Sequence, residues 1–114
     1  LLVGLATSAG AQGSAIPTVF QGEWSQSLET CADPNEDANG LTIGAASLTL
    51  YDGRATVASV EAESATKITV VADWNAEGRS FRETHQLMVS DDGDELSITG
   101  IGRDGKAVMI RCPA

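Results

Sequence analysis

The sequence predicts an all-β protein, a small antiparallel up-and-down β-barrel of seven or eight strands, with a β-sandwich as the alternative. Three observations lead there. Runs of strand length with alternating polarity fill residues 18–114, and almost nothing of helical period interrupts them. The runs are joined by glycine-containing connections of about two to five residues, the mark of hairpins. The two cysteines, Cys31 and Cys112, stand at the end of the first run and in the last. A meander this long leaves raw edges unless it closes, and a bridge between its first and last strands fits closure.

The elements follow in order. Residues 1–11, LLVGLATSAGA, are apolar and uncharged and end in Ala9-Gly10-Ala11. That small-x-small pattern suits signal peptidase, so the stretch reads as a partial signal peptide. It is too short to span a bilayer, for which about 20 residues are needed. Residues 12–17, with Gly, Ser and Pro, read as a flexible N-terminal arm, and 18–114 as the barrel domain. The first strand puts Phe20, Gly22, Trp24, Gln26 and Leu28 on one face by the period-2 rule. CADPNEDANG, residues 31–40, is polar and turn-rich and reads as a loop. Strands follow in LTI, SLTLY and RATVASV, broken by GAA and DG. TKITVVADW is rich in β-branched residues and turns through NAEG into RSFRETHQLMVS. DDGD leads to ELSITGI, and GRDG to KAVMIRC. The inward candidates are Leu28, Ile43, Leu48, Leu50, Ile68, Val70, Leu87, Val89, Leu96 and Ile98, enough to fill a narrow barrel.

The cysteines and the charge bound the function. Two cysteines behind a signal segment read as one disulfide, Cys31–Cys112. It closes nearly the whole domain into a loop, with a chain-entropy contribution of about 4 to 5 kcal/mol. Sixteen acidic against seven basic residues leave a net charge of −9. Such a surface repels phosphate backbones and anionic lipids, so nucleic-acid binding is disfavoured; it would attract a basic protein, or simply keep the protein soluble.

Few residues carry chemistry. The single histidine, His85, shares a strand face with Phe81, Glu83, Leu87 and Val89. A Glu and a His two residues apart can form an acid–base pair or half a metal site. With one histidine and both cysteines committed, the ligand count falls short of a zinc site. The pair therefore reads as a polar patch at the barrel mouth or on the solvent face, and His85→Gln should leave the fold nearly unchanged. SDDGDEL, residues 90–96, lacks EF-hand spacing and reads as a charged hairpin tip. No Gly-x-Ser-x-Gly elbow is present. Trp74 stands where a strand enters the NAEG hairpin, either capping the barrel end or exposed as an interface anchor.

Gly22-Glu23-Trp24 on the first strand, with Arg111 on the last, resembles the signature of the calycin group of lipocalins, fatty-acid-binding proteins and small bacterial protease inhibitors. The resemblance implies a barrel in which Trp24 packs at the closed end beneath Arg111. The layout FQGEW…C, GLTIGAASLTLYDGRATV and terminal RCP also resembles small secreted proteins of Gram-negative bacteria of no established activity. The departures are clear. The calycin-like protease inhibitors close a short disulfide loop, and periplasmic lysozyme inhibitors carry a Ser-Gly-x-x-Tyr loop, whereas the one tyrosine here is Tyr51 in LTLYDG.

Taken together, the residues point to a secreted or periplasmic, non-enzymatic protein-binding module without cofactor or metal. An inhibitor of a periplasmic hydrolase is one form of it. Its partner would be a periplasmic or extracellular protein, and the chain would be a monomer with no membrane span. The alternative is a lipocalin-like small-molecule binder with a cavity inside the barrel.

Overall fold

The computed structural model describes residues 12–13, 15–32, 40–101 and 104–113. Residues 1–11, read above as a partial signal peptide, lie outside the described residues, as do 33–39 of the acidic loop and 102–103 of the last hairpin.

Among the described residues, nine strands form one sheet: β1 (Gln12–Gly13), β2 (Gly22–Ser25), β3 (Leu41–Ile43), β4 (Ser47–Leu50), β5 (Gly53–Ser64), β6 (Lys67–Ala76), β7 (Arg79–Val89), β8 (Glu95–Thr99) and β9 (Lys106–Arg111). Their order is β1-β5-β4-β3-β2-β9-β8-β7-β6, and β6 pairs again with β5. Strands β2 to β9 therefore form a closed, eight-stranded, all-antiparallel barrel in which each strand pairs with its sequence neighbour and the last pairs with the first. β1 is a short addition on β5, opposite Val60 and Glu61. The expected barrel is the observed one.

Turn chemistry makes the hairpins. Ala76 pairs with Arg79, so Glu77 and Gly78 form a two-residue loop, both with positive φ, 53° and 79°. Positive φ at both central positions defines the type I′ turn, whose twist matches that of the strands it joins. β5 carries two register shifts, at Val57/Ser59 and Ala62/Ser64, which bend this 12-residue strand around the barrel.

Leu48, Ile68, Val70, Leu87, Leu96 and Ile98 are completely buried, and Ile43 and Val89 nearly so. Leu50 is only partly buried. Leu28 departs from expectation, being 63% exposed. The first strand stops at Ser25, and a short helix, α1 (Leu28–Ala32), follows. Ser27 and Thr30 cap it reciprocally: Thr30 N–H donates to Ser27 Oγ and Ser27 N–H to Thr30 Oγ1. This is a capping box with threonine in the place usual for Glu or Gln. The chain leaves the strand direction, and Leu28 goes to the surface.

The arm is also more integrated than its composition suggests. Beyond the two residues of β1, Ile16 is 2% exposed and its N–H donates to Ala45 O. A 3-10 turn, Thr18–Phe20, then buries Phe20 completely. Ile16, Phe20 and Trp24 fill the barrel end that also holds the β3–β4 and β7–β8 turns. That end is closed by side chains from the chain's own N-terminal segment.

Candidate functional site

At the closed end, the guanidinium of Arg111 lies over the Trp24 ring, 4.3 Å from its centroid. Arg111 donates from Nε to Gly93 O (2.8 Å), from Nη1 to Gln21 O (2.7 Å) and from Nη2 to Val19 O (2.5 Å). Trp24 Nε1 donates to Phe20 O. One arginine thus ties the first barrel strand, the turn before it and the β7–β8 turn to the last strand. Gly22 makes room for it. Its φ is +124°, and a Cβ there would stand 3.0 Å from Arg111 Nη1. Glycine at 22, tryptophan at 24 and arginine at 111 are three parts of one packing problem.

The β7–β8 turn supplies its own bonds. Asp92 accepts from Ser90 Oγ and from Asp94 N–H, and these hold its carboxyl below the ordinary 3.8. The acidic tip is an internally bonded turn. No group of three or more His, Cys, Asp or Glu able to hold a metal is present among the described residues.

The disulfide lies on the outer wall. Cys31 on α1 joins Cys112, just past β9, with Cα atoms 5.4 Å apart and a sequence separation of 81. Cys112 N–H donates to Glu23 O, so the bridge crosses the seam between β2 and β9. Two depressions of about 510 and 420 Å³ flank Cys112 on this wall. They offer no exposed aromatic ring, and Glu23, Asp94, Arg111 and the two cysteines in their linings hold the seam.

Among the described residues, the opposite end is open. A depression of about 250 Å³ there is lined by Trp74, Phe81, Glu83, Leu50, Asp52 and Ile101, among others. Phe81 is 42% exposed, and Tyr51 in the adjoining turn is 79% exposed. Neither the Asp52 nor the Glu83 carboxylate has a hydrogen-bond or ion-pair partner among the described residues. An aromatic, acidic rim around an apolar floor is suited to a cationic or apolar side chain.

Trp74 forms part of that floor. It is 4% exposed, so the interface-anchor reading of Trp74 is corrected: parity on β6 turns it inward opposite Phe81, which takes the rim. His85 requires a second correction. It is neither at the rim nor on the solvent face but completely buried, one turn of the alternation below Glu83. Its ring meets Trp74 edge-on, with centroids 5.7 Å apart. Trp74 Nε1–H donates to His85 Nε2 (2.8 Å), and His85 Nδ1 is 2.7 Å from Thr99 O. An indole N–H can only donate and a carbonyl can only accept, so the imidazole is neutral with its proton on Nδ1. Both nitrogens are engaged, and neither bonds to Glu83.

His85 and Thr99 also end a ladder. β7 pairs with β8 at Leu87↔Ile98, Met88↔Ser97 and Val89↔Leu96. At the next position Thr99 turns its carbonyl to His85 and caps Gln86 N–H with Oγ1 (2.8 Å). From Thr84 back to Arg79, β7 has no strand partner on that side among the described residues. The sequence shows both residues but not this contact, because they lie 14 positions apart on strands whose register only the fold sets.

No family model matches the chain, and no curated protein or solved structure matches it significantly.

Proposed function

We propose that the chain is a secreted or periplasmic, non-enzymatic protein-binding module that meets its partner at the open end of the barrel. Inhibition of a periplasmic hydrolase is one form such a module takes. The carrying observation is where the space lies: inward positions along the barrel are occupied by buried side chains, and exposed aromatic surface gathers at the rim. A hollow of about 250 Å³ is below the usual range for a small-molecule pocket, roughly 300 to 1,000 Å³. That weighs against the lipocalin-like alternative. His85, buried with both nitrogens bonded, offers no free base to a substrate, which supports a non-enzymatic role. The disulfide favours an oxidising compartment, and no helix among the described residues is long and apolar enough to cross a membrane. The calycin-like reading gains support from Arg111 over Trp24 at the closed end of an eight-stranded barrel.

The test is cross-linking of residues 12–114 in a periplasmic extract, beside Phe81→Asp. A partner enriched by the wild type and lost with Phe81→Asp is the expected result. Equal capture by both proteins, or a small apolar compound bound one-to-one in native mass spectrometry, would overturn this reading.

A further inference from the structure

We infer that the partner binds by adding an extended, cationic segment as a strand to the free edge of β7, residues 79–84. This rests on the protein-binding reading and specifies its chemistry.

The backbone makes the case. Along β7, amide directions alternate between the β6 side and the β8 side. Val89 N–H points to the β6 side, where it meets Thr66 O, whereas Ser90 and Gln86 N–H point to the β8 side, to Glu95 O and Thr99 Oγ1. The β6–β7 register runs without a shift from Met88 to Arg79, so the alternation carries through. Ser80, Arg82 and Thr84 therefore direct their N–H and C=O groups to the side that β8 has left. An unpaired row of this kind is a template for strand addition.

Side chains on the two faces select the occupant. Arg82 is already held by Asp73, through Nε (2.7 Å) and Nη2 (3.0 Å), so the outer face offers that strand no free cation at Arg82. On the inner face stand exposed Arg79 at the hairpin tip, Phe81 and, deeper, Glu83 with no partner for its carboxylate among the described residues. Asp52 lies across the hollow, so the preference for a cation falls at the position opposite Glu83. A strand laid on this edge places alternate residues over the same face. An apolar residue opposite Phe81 and a cation opposite Glu83 complete the pairing. The net charge of −9 disfavours a second copy as the occupant.

The probe is a capped synthetic peptide, TVTRTVT, with TVTETVT as its charge-reversed counterpart, read by amide hydrogen exchange and titration. The expected result is exchange slowed about tenfold or more at Ser80, Arg82 and Thr84 by the arginine peptide and not by the glutamate one. Thr84→Pro removes one edge N–H, leaves the β6 ladder intact, and should weaken peptide binding about tenfold at unchanged melting temperature. Protection by neither peptide, protection elsewhere, or protection that rises with protein concentration alone would overturn the inference, the last in favour of a dimer through β7. For a captured protein partner, loss with Phe81→Asp but full retention with Thr84→Pro would keep the protein-binding reading and reject strand addition.

Discussion

The two sides of this barrel are built differently. On one side β5, β6 and β7 run 10 to 12 residues each, and the β6–β7 ladder alone has ten register pairs joined by a two-residue turn. On the other, β2 meets β9 through two register pairs, Trp24↔Arg111 and Ser25↔Ile110. The long side forms from neighbours in sequence, so alternation and turn chemistry suffice. The seam joins residues about 90 apart, where loop closure is costly and two pairs repay little. Its reinforcement is correspondingly concentrated: a disulfide, an arginine with three carbonyl partners, and a helix laid over Ser25, where Ser25 and Thr30 bond through their hydroxyls.

Removing the disulfide should break the comparison most visibly. The double variant Cys31→Ala/Cys112→Ala should lose about 4 kcal/mol, which calorimetry would show as a fall in melting temperature of roughly 15 to 30 °C. Hydrogen exchange should rise first at Trp24 and Arg111 and last on β6. Uniform loosening would mean that the seam is no weaker than the rest.

His85→Leu tests the long side. It leaves the buried Trp74 N–H without a partner, at about 1 to 3 kcal/mol, and the partly buried Thr99 C=O without its donor, at less. The loss should be global and cooperative rather than confined to the seam. His85→Gln should cost less but should not be neutral, contrary to the sequence expectation.

Arg111→Met keeps a long side chain over Trp24 and removes its charge and donors. A loss of about 2 to 3 kcal/mol is expected, chiefly from the carbonyls it leaves. Chemical denaturation measures it, and Arg111→Lys should recover only part, since one ammonium cannot match the planar fork.

Glu77→Asn should raise stability by a few tenths of a kcal/mol, because asparagine accepts positive φ more readily than glutamate. The smallest effect concerns Asp92. Its folded carboxyl value is lowered, so its contribution is complete above 3.8 and lost as pH falls through the lower folded value. Carbon-detected titration should place the Asp92 midpoint below 3.8, and Asp92→Asn should loosen the 90–94 turn beneath Arg111. A midpoint at or above 3.8 would detach this turn from the closure of the barrel.

Much was legible in the residues alone. Alternation along SLTL, KITVVADW and ELSIT, with glycine at the turns, determined the strands and hence the meander. Two cysteines in one domain determined the bridge. What period 2 reports, however, is which face a residue occupies, not how far along the barrel axis it stands. Phe81, Glu83, His85, Leu87 and Val89 share one inward face, yet Phe81 is 42% exposed and His85 fully buried. Only the stagger of neighbouring strands sets that depth, and with it the placement of His85 against Trp74 and Thr99. Leu28 shows a local limit too: Ser27-x-x-Thr30 was present in the sequence as a helix cap, but strand alternation ran over it. Which end is plugged, which is open and where β7 loses its neighbour were decided by tertiary structure, because each depends on chain segments brought together from far apart.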